Sequence, residues 1–499
     1  MRVSDSAAGT PTTTTSSRWI ALIVLCLGTL MIVLDTTIVN VALPSIRSDL
    51  GFSQSSLAWV VNAYLLTFGG CLLLGGRFGD LFGHRRLFLI GIGLFTVASL
   101  ACGLSSSQGM LVAFRGIQGV GGAIASATSL SLTMNLFTEP QERAKAMGIF
   151  GFVASGGGAI GVLLGGVLTD LIDWHWIFLV NVPVGVVVAV LSLRLLPAGR
   201  NEDAVRQLDI AGAITVTASL MLAVFAIVGG NEHGWTSART LGCLGAAAAL
   251  LLLFLTIESR VEAPLVPLRL FRRRNIAAAN TIGVLWAASM FAWFFLSSLY
   301  LQLVLGYSPL QVGLSFLPSN VIMGVLSVAV AARLVLRFGV RPPLVGGLLT
   351  AAVGLLLFAR LPVEGDFLVD VLPSMLLLGI GSGIAFTPVL LSAMNDVEPQ
   401  EAGIASGIVN TSFMMGGALG LAVLASVAAS RTDSLQAGGD SAAAALVGGY
   451  HVAFLIGAAF AALGALGGTL LRVATFAPEA AQAHDADAEP VAAAAGASS

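Results

Sequence analysis

The chain has 499 residues, 57% of them hydrophobic and 10% charged, with a mean hydropathy of +0.93 and a formal net charge of −2. A soluble protein of this length could not cover so apolar a composition with so few charges. The near-neutral balance says nothing useful about partners, and no nucleic acid is expected.

A membrane-spanning helix needs roughly 20 mainly apolar residues. Fourteen such runs follow one another: 19–41, 57–75, 87–104, 109–134, 146–168, 177–196, 209–229, 240–257, 277–305, 312–332, 342–360, 370–394, 403–429 and 448–471. The fold expected is an all-α polytopic membrane protein in a lipid bilayer. Placing the N-terminus inside puts nineteen basic residues on one face and four (Arg47, Arg239, Arg360 and Arg431) on the other. Basic connectors stay cytoplasmic. The Arg-rich face is therefore read as inner, the other as outer, and both termini as cytoplasmic in a cell inner (plasma) membrane. Residues 1–17 are Thr/Ser-rich and 477–499 Ala-rich, and both read as disordered tails.

An internal repeat divides the chain. Glu139-Pro140-Gln141-Glu142 recurs as Glu398-Pro399-Gln400-Glu401, an offset of 259, and at that offset Gly148, Gly157, Gly158 and Gly161 meet Gly407, Gly416, Gly417 and Gly420. Gly51-Phe52-Ser53 is echoed by Gly306-Tyr307-Ser308. Spans 1–6 thus pair with spans 9–14. The division expected is a six-helix bundle over 18–200, an inserted two-helix hairpin over 201–258, a cytoplasmic linker over 259–276 and a second six-helix bundle over 277–476. Halves related in this way around a midplane site suit alternating access.

Two charges lie deep inside apolar runs: Asp35 in span 1 and Arg115 in span 4. An ionisable group in hydrocarbon reads by default as part of an ion or proton pathway. Each is about six residues from the outer end of its run, roughly 9 Å deep at 1.5 Å per residue, so neighbouring helices would let them pair. Burial disfavours charge on Asp35 while a nearby guanidinium favours it. Asp35 is accordingly the candidate proton-coupling acid, a structural ion pair being the plainer reading. Asn62 in span 2 falls at similar depth, and either joins this layer or bonds two packed helices. In span 4, Arg115, Gln118, Gly122, Ser126 and Ser129 share one polar or small face suited to a water-lined cavity.

The connector after span 2 reads Gly76-Arg77-Phe78-Gly79-Asp80-Leu81-Phe82-Gly83-His84-Arg85-Arg86. It resembles the signature loop of the major facilitator superfamily, with Leu81 and His84 where basic residues are common. The run Leu34-Asp35-Thr36-Thr37-Ile38-Val39-Asn40-Val41-Ala42-Leu43-Pro44 resembles the first-span motif of that superfamily's fourteen-span drug:proton antiporters, and Arg115-Gly116-Ile117-Gln118-Gly119 its proton-linked arginine motif. The resemblance covers the chain outside its tails. It implies the major facilitator fold, two six-helix bundles plus two inserted helices. It also implies that Gly76, Asp80, Gly83, Arg85 and Arg86 form a cytoplasmic gate loop locking the halves when the transporter faces outward. Physically, Asp80 would face the N-terminal dipole of span 13.

In span 5, Gly157, Gly161 and Gly165, with Gly158 and Gly166 alongside, form a stripe that lets helix backbones approach. The stripe resembles the family's antiporter motif, with Val162 in place of the usual proline. Trp174 to Pro183 resembles a recurrent feature of the same branch, and its two Trp residues suit a membrane interface. Trp286, Met290, Trp293 and Ser297 share a face of span 9, which either lines a cavity for greasy ligands or faces lipid.

Several chemistries are excluded. The only lysine, Lys145, is followed by Ala146, so no phosphate-binding Gly-x-x-x-x-Gly-Lys-Ser/Thr loop exists. The five histidines and four cysteines show no metal-ligand spacing, and no hydrolytic triad has a histidine at membrane depth. The chain reads as neither an enzyme nor a cofactor protein, with a proton gradient as its energy source and a monomer expected. The resemblance implies proton-coupled efflux of small lipophilic drugs or secondary metabolites. Acid-free spans 9 and 10 point to neutral, anionic or monocationic substrates. A proton-coupled metabolite importer, or a non-transporting membrane sensor or lipid-handling scaffold, stands as the alternative.

Overall fold

The computed structural model describes residues 15–196, 209–262, 264–394 and 402–471, and they are helical between short connectors. In chain order the helices are α1 Thr15–Leu50, α2 Trp59–Phe82, α3 His84–Gly103, α4 Gln108–Leu136, α5 Pro140–Leu171, α6 Trp176–Leu179, α7 Asn181–Leu195, α8 Ile210–His233 and α9 Ala238–Arg260. Then come α10 Arg274–Leu299, α11 Pro309–Val325, α12 Ala331–Phe338, α13 Arg341–Phe358, α14 Leu372–Met394, α15 Ala402–Ala437 and α16 Ala442–Thr469. Fourteen segments are long and apolar enough to cross a membrane, the number read from the sequence. Helices suit these sequences because hydrocarbon offers the backbone no partner but itself.

Several helix starts are capped by hydroxyls that satisfy free N–H groups. Ser107 Oγ accepts from Met110 N and Ser441 Oγ from Ala444 N, while Ser308 and Gln311 form a reciprocal capping box. Gly83 turns the chain from α2 into α3 at φ +93°, a conformation other residues resist.

Helix ends depart from the apolar runs. Span 1 was expected over 19–41, yet α1 passes through Pro44 to Leu50, and Thr15 to Ser17 belong to it rather than to a tail. Hydropathy marks the membrane, not the helix, and the last turns of α1 carry Arg47, Ser48 and Asp49. Asp35 lies about 22 Å of helix rise from the end of α1, a length that includes the polar turns beyond the apolar run. Residues 1–14 and 472–499, and the repeated connector Glu398-Pro399-Gln400-Glu401, lie outside the described residues.

Within the first six spans, α1 packs on α5 and α7, and α4 receives both α2 and α3. In the last six, α10 packs on α15 and α16, and α13 on α14 and α16. Between them, α8 touches α2 on one side and α15 on the other. Asn231 Nδ2 donates to Ser426 O at 2.7 Å, and Ser426 Oγ returns a bond to Ile227 O at 3.1 Å. The inserted helix thus spans the seam between the halves.

Candidate functional site

Asp35 and Arg115 meet inside the first bundle, 0% and 1% exposed. Arg115 Nη1 lies 2.5 Å from Asp35 Oδ2. Asp35 Oδ1 accepts from Gln118 Nε2 at 2.7 Å and from Asn181 Nδ2 at 3.2 Å. The carboxyl group thus receives three donors, from α4 and α7.

Arg115 is itself held on every side. Its Nε donates to Val60 O at 2.9 Å, a backbone carbonyl of α2, and Nη1 also donates to Gln118 Oε1 at 2.7 Å. The guanidinium carbon stands 4.4 Å from the Tyr64 ring centre and 5.6 Å from that of Phe178. Gln118 Nε2 reaches on to Ser99 Oγ at 2.7 Å. The network joins α1, α2, α3, α4, α6 and α7. A buried pair repays its desolvation only when its remaining lone pairs and protons are satisfied, as most are here.

Arg115→Lys should keep the charge and lose the fork. One ammonium cannot reach Val60 O, Gln118 and Asp35 in the same geometry, and charge-assisted bonds of this kind contribute about 1.5–3 kcal/mol each. Transport is expected to fall roughly 10- to 100-fold at unchanged protein level in membranes. Wild-type rates would show that only the charge matters.

Ser99, Asn181 and the rings of Tyr64 and Phe178 were not picked out from the sequence as site residues. Asn181 lies in the Trp174–Pro183 run at the start of span 6. A lone Asn early in an apolar span was its signal. Asn62, expected in this layer or in a bond between helices, makes neither contact: it is fully buried and both its side-chain polar atoms are unpartnered. Gly122 leaves room for Tyr64, whose hydroxyl would lie 3.0 Å from an added Cβ. Ser126 is half-buried. Ser129 is buried; its Oγ lies 3.3 Å from Thr29 Oγ1 and bonds across to α1.

Trp286 and Trp293 are each 1% exposed, so they face protein and not lipid, and Met290 is half-buried on the same helix. The Trp293 ring packs against Phe294, Phe316 and Phe358 at centroid distances of 4.4, 5.9 and 6.5 Å. Both indole N–H groups are buried without an acceptor.

In the signature loop, Asp80 pairs with His84 at 3.4 Å and Arg85 donates to Leu193 O of α7. Arg86 is exposed and Gly76 has open space around it. The chain just before α15, where Asp80 was expected to dock, lies among residues 395–401, outside the described set. On α5 the glycines divide by partner. Added Cβ atoms at Gly157, Gly161 and Gly165 would strike α1, at 2.9 Å from Val33, 2.1 Å from Thr37 and 2.6 Å from Ile38 O. One at Gly166 would strike Pro309 O of α11 at 2.6 Å.

Comparison with known proteins agrees with this architecture. The chain is 40% identical over 446 residues to the puromycin resistance protein pur8 of Streptomyces alboniger, covering 89% of this chain and 88% of that one. It is 40% identical over 429 residues to the cephamycin export protein CmcT of Amycolatopsis lactamdurans, covering 85% and 88%. Among solved structures, the nucleoside transporter NupG superposes with a TM-score of 0.64 at 13% identity, covering 91% of this chain and 99% of that one, a likeness of fold alone. Residues 25–421 match the family description itself, and the chain belongs to the Major Facilitator Superfamily.

Proposed function

We propose that this protein exports antibiotic-like small molecules in exchange for protons, with Asp35 as the acid that takes up and releases the proton. The observation that carries the reading is the sealed Asp35 carboxylate, held by Arg115, Gln118 and Asn181. The export half rests on relatives whose names state resistance or export, about 40% identical over most of the chain.

As a carboxylate, Asp35 ties α1 to α4 and α7. A proton on it removes the ionic half of that tie and leaves Arg115 without a counter-charge. The helices then gain by moving to where the guanidinium can be hydrated. One proton returning to the cytoplasm supplies about 2.3 kcal/mol per 100 mV and roughly 1.4 kcal/mol per pH unit. That is enough to drive a neutral solute uphill about tenfold per pH unit.

Substrate would be held between the halves, with Gln118, Gly122, Ser126 and Asn62 on one side and Trp286, Met290 and Trp293 on the other. The unpartnered Asn62 amide and indole N–H groups are open to such a ligand. With no acid in spans 9 or 10, the site suits neutral, anionic or monocationic compounds.

Everted vesicles energised with an acid interior should accumulate substrate from a panel that includes puromycin and a cephamycin. Collapsing the pH gradient should stop it. Uptake by whole cells with no accumulation in everted vesicles would instead mark an importer.

A further inference from the structure

Pro44 lies inside α1 and has no N–H to offer the carbonyl of Asn40, four residues earlier. Hydrocarbon leaves such an orphan no water, so some other donor must satisfy it. Here the donor comes from the opposite half of the molecule. Ser298 Oγ, on α10, donates to Asn40 O at 2.7 Å. Gln302 Nε2 donates to the adjoining carbonyl, Val41 O, at 2.9 Å and to Ser298 Oγ at 3.2 Å. Asn40 and Ser298 are both buried.

Gln302 belongs to the π-helical turn Tyr300–Val304 that ends α10. Such turns recur at functional sites, where the extra residue re-aims side chains. These bonds lie toward the outer end of the seam. Nearby, Ser308 Oγ donates to Asp170 across α11 and α5 at 3.1 Å.

We propose that Pro44 exposes a backbone carbonyl as the acceptor of an outer gate, and that Ser298 and Gln302 are the donors that close it. None of these groups titrates, so closure has no pH dependence of its own. Its acceptors are main-chain atoms, so side-chain changes at positions 40 and 41 leave it intact. Asn40 is only five residues beyond Asp35 on the same helix. A tilt of α1 when Asp35 releases Arg115 therefore carries both acceptors away from α10. Closure by these bonds rests on alternating access, as in the preceding reading, but not on Asp35 being the coupling acid.

Full-length protein in liposomes, with Cys26, Cys71, Cys102 and Cys243 replaced by Ala, would carry nitroxide labels at Ser106→Cys and Glu364→Cys. Both positions are exposed, in outer connectors of opposite halves. Pulsed electron–electron distance measurement then reads the ratio of outer-open to outer-closed molecules. Ser298→Ala should raise that ratio about three- to tenfold, and Ser298→Thr, which keeps the hydroxyl, should not change it. Pro44→Ala restores an N–H that satisfies Asn40 O, so Ser298→Ala in that background should shift the ratio far less. Gln302→Met should open the gate independently, which keeps the test decisive if a Ser298 variant is poorly expressed.

An unchanged distribution in both Ser298→Ala and Gln302→Met overturns the gate, as does an equal Ser298→Ala shift with Pro44 and with Ala at position 44. The same labels in Asp35→Asn protein separate the two readings. Failure of the coupling acid would show in transport, while the response to Ser298→Ala would persist.

Discussion

Asp35→Asn is expected to lower proton-driven accumulation in everted vesicles to the level of vesicles lacking the protein, with the variant still present in the membrane. The amide cannot bind and release a proton in the working range, so the cycle loses its driving step. The structural cost is separate and also sizeable. Arg115 would be left buried without a counter-ion, a loss of about 3–5 kcal/mol for a pair broken on one side. The new amide also turns a donor toward Gln118 or Asn181, both of which already donate to that carboxylate. Asn181 can rotate its amide to accept. Gln118 cannot do so freely, because its Oε1 receives Arg115 and its Nε2 holds Ser99. Substrate exchange without a gradient is the control that separates lost coupling from lost folding: it should survive in Asp35→Asn. Proton-driven accumulation at the wild-type rate would remove Asp35 from the proton path.

The two charges of this site were legible because charge inside an apolar run is rare and expensive, so each stood out alone. Their pairing needed only that spans 1 and 4 be neighbours. Ser99, Tyr64 and Asn181 gave a weaker signal, since an uncharged polar side chain does not stand out in a span as a charge does, and nothing local says which of them face one another. Asn62 shows the converse: depth alone placed it in the layer, but its rotation about α2 did not. Whether Trp286 and Trp293 face protein or lipid was likewise not legible, and their burial places them against protein.

The repeat adds one point that neither half shows alone. At the 259-residue offset Arg115 corresponds to Ser374 and Ser99 to Phe358, and at the 255-residue offset of Gly51-Phe52-Ser53 Asp35 corresponds to Met290. Phe358 packs with Trp293 and, at 5.1 Å, with Phe454. Where the first bundle holds an ionic network, the second holds apolar and aromatic side chains. Like backbones thus carry unlike interiors, one with a buried ion pair at these positions and the other without.

Gly166→Leu is the second change expected to abolish transport, by a route that spares folding. An added Cβ would lie 2.6 Å from Pro309 O and 3.0 Å from Leu310 Cα, both backbone atoms that cannot swing aside. Gly313 makes the reciprocal approach, with its added Cβ 2.9 Å from Val162 O. These contacts lie between the halves, which would part and rejoin in each cycle of the proposed exchange. A bulky residue there blocks rejoining without disturbing the packing inside either half. Gly161→Leu differs although only five positions separate the two, because its added Cβ meets Thr37 Oγ1 at 2.1 Å and Leu34 O at 3.0 Å within the first bundle. Overpacking of that kind costs about 1–3 kcal/mol or more in a core. Thermal unfolding in detergent should therefore separate them. Gly161→Leu should lower the midpoint by several degrees, while Gly166→Leu and Gly313→Leu should stay near wild type and still fail to transport. A midpoint drop in Gly166→Leu as large as in Gly161→Leu would mean that the α5–α11 contact is part of the static fold, and that this seam does not open.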